Sequence, residues 1–232
     1  MRNPLRYAGV AVRDAGPVGL GALPMGMAFG VLVAHSGLAW WWASVISGLV
    51  YAGSLEFLLL GLVLAVAPLT AVASTAFLVN VRHVFYALSF PLHRIRGAAG
   101  KAYGTFALSD EAWAVTTRAG AASWPGGRIL GAQAVIHAYW AGGATLGALA
   151  GSRVPDGPAG LDFAVTALFV ALALDALREH PGVPTPLLAL GCALLARLLC
   201  PGQLLLAAFG LFTAGLVVRH RWTGRTGGAS RA

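Results

Sequence analysis

The sequence predicts an all-α integral membrane protein with about seven or eight membrane segments, one pair of them broken or re-entrant near residues 40–67. Three observations carry that expectation. Of 232 residues, 58% are hydrophobic and only 10% charged, against about 25% charged in soluble domains. Apolar runs close to the ~20 residues that a spanning helix needs recur along the chain. The arginines stand in short loops and at both ends, the positive-inside pattern. The net charge of +8 therefore reads as membrane topology and not as a nucleic-acid face.

Residues 1–14 are expected to form a cytoplasmic N-terminal segment, 15–218 a single polytopic membrane domain, and 219–232 a basic cytoplasmic tail. The opening stretch, MRNPLRYAGVAVRDAG, has no apolar core ending in a small-residue cleavage site, so the first membrane helix is expected to act as the insertion signal. That first span runs over about residues 15–33, and Pro24 within LPMGMAFG is expected to kink or end it. A small-residue loop, 35–39, leads to Trp40, Trp41 and Trp42, the composition of an interfacial aromatic belt.

Charge parity decides how residues 40–67 cross. With Arg2, Arg6 and Arg13 inside, one long span over 40–67 would leave the basic loop HRIRGAAGK (93–101) outside. Two short helices, spanning or dipping and returning, bring it inside. The break is expected within YAGSLEF (51–57), at Gly53 and Ser54. A further span covers 70–91. The stretch 102–117 is ambiguous, because Asp110 and Glu111 stand side by side in it. Arg118 and Arg128 bracket a turn, and later spans cover 129–150, 161–177, 185–200 and 202–218. Cys192 and Cys200, eight residues apart, would lie about 12 Å apart on one helix, too far for a disulfide, and read as packing residues.

The span 70–91 holds the costliest residues. Its centre, LVNVRHVFYALSF (78–90), carries Asn80, Arg82, His83 and Tyr86 in apolar surroundings. A charge at mid-bilayer costs about +2.5 to +3.5 kcal/mol even on lenient scales, so it is rarely kept without use. Arg82, His83 and Tyr86 share an arc of roughly 100°, with Asn80 and Thr75 near it. Such a stripe faces protein or a water-filled cavity, either as a structural ion-pair network or as a binding site. Glu56, just past the expected break, is either paired with Arg82 or a backbone amide, or carries a proton. Asp110 and Glu111 serve as a helix start after Ser109 or as functional acids. Asp162 and Asp175 read as helix-end acids. No phosphate-binding glycine loop and no HxxxH, CxxC or HExxH spacing occurs, which leaves no cofactor or metal to propose. His83 and His137 with a carboxylate keep open a membrane-embedded enzyme, and a channel or structural subunit is the other alternative.

The order LPMGMAFG, YAGSLEF, LVNVRHVFYALS, LSDEAWA and GLDFAVTALF resembles the AzlC family, over residues 16–218. These are the large subunits of bipartite branched-chain amino acid exporters. The resemblance implies a multi-pass permease of the cell (inner) membrane that exports valine, leucine, isoleucine, methionine or similar neutral amino acids. It also implies a small membrane subunit of the AzlD type as partner. The family pattern A-G-S-x-Q-F has an amide where this chain has Glu56. A carboxylate there can favour a cationic group or change proton coupling. With the physical reading, the expected substrate-binding residues are Gly53, Ser54, Asn80, Arg82, His83 and Tyr86. The expected proton-coupling acids are Glu56, Asp110 and Glu111.

Overall fold

The computed structural model describes residues 8–153, 170, 174, 184–200 and 204–228, and no strand occurs among them. The helices are α1 (Ala8–His35), α2 (Trp41–Leu49), α3 (Gly53–Leu64), α4 (Leu69–Asn80), α5 (Arg82–Ser89), α6 (Ala98–Phe106), α7 (Asp110–Thr117), α8 (Gly126–Gly151), α9 (Pro184–Leu199) and α10 (Leu204–Gly228). Single 3-10 turns occupy Leu92–Arg94 and Ala119–Ala121. The spans Gly9–His35 and Leu69–Ser89 are long and apolar enough to cross a bilayer. The chain falls into two units, Met1–Val72 with Val79–Val165, and Ala73–Leu78 with Thr166–Ala232. The expected span 161–177, with Asp162, Asp175 and the Arg178 loop, lies outside the described residues.

The first unit is built on α1 against α8. Small residues let the two backbones touch, as in close-packed membrane helices. A Cβ on Gly26 would stand 2.6 Å from the Trp140 carbonyl, and one on Gly143 2.6 Å from the Leu23 carbonyl. On Gly30 and Gly147 it would overlap the carbonyls of Ala144 and Met27. This contact explains one departure from expectation: Pro24 does not end the helix, which runs unbroken from Ala8 to His35. A membrane helix can absorb the lost proline N–H where neighbours fix its path. Beyond this seam, Phe90, Ile95, Leu108, Trp124, Ile129 and Ile136 form an apolar core.

One end of this unit gathers its basic segments. Asp14 of α1, nearly buried, takes Arg128 on both oxygens, at 2.6 and 2.9 Å, and Arg118 at 3.6 Å. Both guanidiniums also lie over Trp124, at 4.2 and 5.1 Å from the ring centre. Arg94 Nη1 donates to the Ala121 carbonyl at 3.3 Å. The start of α1, the loop after α5 and the turn before α8 thus share one end, the grouping that charge parity requires.

Three helices are interrupted. α2 and α3 part at residues 50–52, where Tyr51 takes φ +45°; the break precedes Gly53 and Ser54, its expected place, and those two residues open α3 instead. The expected span 70–91 contains the membrane-length stretch Leu69–Ser89, whose hydrogen-bond ladder is interrupted between α4 and α5 at Val81, where the backbone stays helical at φ −55° and ψ −28°. The ambiguous stretch 102–117 is two short helices, with Ser109 capping the second through the Ala112 amide at 3.3 Å. The basic stretch 93–101 is helical from Ala98. In the second unit α9 packs on α10, Arg219 Nη1 donates to Thr185 Oγ1 at 2.9 Å, and α10 continues beyond Val218 to Gly228.

The glycine seam yields a test. Gly147→Ala places a methyl where a carbonyl already stands and should cost about 1–3 kcal/mol. Gly21→Ala meets open space and should be neutral or gain up to about 1 kcal/mol from helix propensity. Thermal unfolding in detergent, read by circular dichroism, separates the two.

Candidate functional site

The site is built where the three interruptions meet. Arg82, first residue of α5, sends Nη2 to the Ser54 hydroxyl at 3.1 Å and to Asp110 Oδ2 at 2.9 Å. Ser54 lies in the first turn of α3 and Asp110 opens α7. Three half-helix starts therefore converge on one guanidinium. A helix start carries amides with no carbonyl one turn back and the positive end of the helix dipole, both of which favour an anionic group nearby; of these amides, Ala112 is already taken by Ser109 Oγ and Val84 by the Val81 carbonyl.

The local sequence sets each start differently. At α5 the break leaves the Asn80 carbonyl without its Val84 amide, which bonds Val81 instead at 3.1 Å. His83 Nδ1 takes that place at 3.1 Å. A carbonyl only accepts, so Nδ1 carries the proton. The His83 ring meets Tyr86 edge-on at 5.6 Å, and Tyr86 stacks on Trp113 of α7 at 5.0 Å. The Trp113 indole N–H donates to Ser89 Oγ at 2.8 Å. α5 and α7 are thus joined along their length.

The central ion pair is incomplete. Asn80 Oδ1, Arg82 Nε and Asp110 Oδ1 are shut off from solvent, yet each lacks a hydrogen-bond partner among the described residues. The Arg82 and Asp110 side chains keep 40% and 38% of their surface open, so a ligand can reach them.

Glu56 belongs to a separate network. It is fully buried and accepts from Ser47 Oγ at 2.8 Å, the Ala52 amide at 3.0 Å, and Trp140 Nε1 at 3.0 and 3.1 Å. It does not pair with Arg82. Both oxygens hold the α2–α3 break against α8, and a Cβ on Gly53 would meet the same Trp140 ring at 2.9 Å. Of the residues expected at the site, the structure joins Ser54, Arg82 and Asp110 directly, with Asn80, His83 and Tyr86 adjoining. It sets Gly53 and Glu56 on the Trp140 side.

Tyr51, Ser47, Trp113, Trp140 and Asp14 escaped the sequence reading. Tyr51 is buried, with Ser109 and Glu111 among its polar neighbours. Its ring lies 4.1 Å from that of His137, and its hydroxyl has no partner among the described residues. The positive φ needed to turn α2 into α3 is a weak signal in sequence, because a tyrosine rarely adopts it. His137 bonds the Tyr103 hydroxyl at 3.3 Å and also meets Phe106. His83 and His137 share no contact among the described residues, so nothing assembles them as an acid–base pair. An apolar cavity of about 230 Å³, lined by Leu38, Trp42, Ile46, Leu59, Leu60 and Val63, offers no charge to a polar ligand.

Glu56→Ala should lower stability by about 2–4 kcal/mol, because Ser47, the Ala52 amide and the Trp140 indole all lose a buried acceptor. Ser54→Ala removes one half-exposed hydroxyl and should cost under about 1 kcal/mol. Parallel thermal melts of the two variants check the contrast.

Comparison with known proteins agrees with this architecture. The AzlC protein family matches residues 17–154. The branched-chain amino acid transport protein AzlC of Bacillus subtilis is 30% identical over 206 residues, 85% of this chain and 80% of that one. An uncharacterized membrane protein of Helicobacter pylori is 32% identical over 177 residues, 73% of this chain and 77% of its own. The inner membrane protein YgaZ of Escherichia coli is 26% identical over 176 residues, 72% of each. No solved structure matches. The name of the first relative is that of a transport protein. With its helical architecture and its membrane-protein relatives, the chain is an all-α integral membrane protein and belongs to the AzlC family.

Proposed function

We propose that this chain is the permease subunit of a secondary transporter that moves branched-chain and similar neutral hydrophobic amino acids, valine, leucine, isoleucine and methionine, out of the cell. The observation that carries the reading is the convergence of three half-helix starts on Arg82, with Ser54 and Asp110 bonded to it. Discontinuous helices at membrane depth, with positive ends aimed at a substrate carboxylate, are how many secondary transporters bind. The printed name of the Bacillus subtilis relative, 30% identical, supports the substrate class.

The proton gradient drives the cycle in this reading. Of the three acids expected to carry the proton, Glu56 has both oxygens bonded and Asp110 is ion-paired. Glu111, beside Tyr51 and Ser109 at the start of α7, is the carrier we favour. The arginine distribution supports an inner-membrane location with both termini cytoplasmic. A small AzlD-type membrane subunit completes the transporter, and exposed Val84, Phe85 and Leu88 of α5 offer it or lipid an apolar face.

Proteoliposomes holding the chain with its small subunit should move radiolabelled leucine, and Arg82→Ala should slow this at least tenfold, about 1.4 kcal/mol or more. Normal flux through a folded Arg82→Ala protein contradicts the site. Glu111→Gln should keep leucine exchange while losing uphill movement under a pH gradient. Equal loss of both removes Glu111 as the carrier.

A further inference from the structure

The Arg82–Asp110 contact has a second reading once its loose ends are considered. The pair is single-pronged: one nitrogen meets one oxygen at 2.9 Å, although a guanidinium and a carboxylate can form two parallel bonds. Arg82 Nε and Asp110 Oδ1 make no hydrogen bond of good geometry, although the Tyr86 hydroxyl stands close to the Asp110 carboxylate, and Asn80 Oδ1, two residues before Arg82, is also without a partner among the described residues. One donor and two acceptors thus stand without partners around an ion pair whose side chains are partly open. A purely structural bridge would be expected to use them, since unpaired polar atoms are costly away from water.

We propose that the Arg82–Asp110 ion pair is the latch of the empty site, opened by a zwitterion that replaces each partner with its own opposite charge. The inference rests on the transport reading given above. The α-carboxylate takes Arg82, with Ser54 and the first-turn amides of α3, and the α-ammonium takes Asp110. No net charge is created, because one ion pair becomes two. A ligand with only a carboxylate would release Arg82 from Asp110 and strand the aspartate. A ligand with only an ammonium would strand the arginine. Uncompensated charge at such a place is strongly disfavoured. The latch therefore selects for both groups on one carbon, independently of the apolar side chain. It also gives α5 and α7 a substrate-dependent contact, since Arg82 and Asp110 open those two helices.

Competition against radiolabelled L-leucine on the purified full chain with its small subunit tests this. The probes are L-leucine, 4-methylpentanoate, which lacks the ammonium, and 3-methylbutylamine, which lacks the carboxylate. In the wild-type protein each truncated probe should bind at least about 10-fold more weakly than leucine. Asp110→Asn should weaken leucine at least about 10-fold while 4-methylpentanoate binds as well as before or better. Asp110→Glu, which keeps the charge, should restore the wild-type order. If 4-methylpentanoate competes as well as leucine in the wild-type protein, the latch is overturned without any variant. It is also overturned if leucine and 4-methylpentanoate weaken together in Asp110→Asn, the mark of a structural bridge, or if leucine binding is unchanged there. Arg82→Ala leaving leucine binding intact overturns the site itself, whereas the Asp110 results concern the latch alone.

Discussion

A helix interrupted inside a bilayer frees backbone groups that no water can satisfy, so each break must be answered by the protein itself. The structure answers the three breaks with four side chains. Glu56 reaches back to the Ala52 amide and holds Ser47 and Trp140 with it. His83 takes the carbonyl that Asn80 loses when α4 stops. Ser109 caps α7, while Gln133 donates to the carbonyls of Gly104 and Ala107 where α6 ends, at 2.8 and 2.9 Å. Only with these groups satisfied can α3, α5 and α7 begin where their first turns face Arg82.

The rigid and the interrupted parts divide the work. α1 and α8 meet through glycines that no side chain can replace without overlap, and their ends are locked by Asp14 with Arg118 and Arg128. Against this frame stand short half-helices of eight to twelve residues, each opening with a polar residue in its first turn. α7 touches both parts: it begins at Asp110, in contact with Arg82, and ends next to Arg118, in contact with Asp14. A change at the central pair therefore has a physical route, one short helix long, to the end where the basic segments gather.

Much of this was legible in the sequence, for reasons that differ by residue. A break in 40–67 showed itself twice, through Gly53 and Ser54 and through the arginine parity that called for it, although it falls at 50–52, just before those two residues. Arg82 stood out because its cost in an apolar run is high whatever surrounds it. The break at Val81 was hidden, since neither proline nor glycine marks it and the compensating bond comes from His83, three residues after the Asn80 carbonyl that it serves. Of the two effects expected of Pro24, a kink or an end, the end does not occur: α1 runs through it, packed against a helix more than 100 residues away. Partners were the hardest to foresee. Periodicity sets the face a residue occupies on its own helix, but the pairing of Arg82 with Asp110, and of Glu56 with Trp140, arises only when separate helices are packed.

The claim that the converging half-helix starts form the amino acid site is tested most directly by a structure in a lipid nanodisc with saturating L-leucine. The account predicts ligand density with its carboxylate on Arg82 and its ammonium on Asp110, and the 2.9 Å contact between them opened. Leucine bound elsewhere with that contact intact would contradict it.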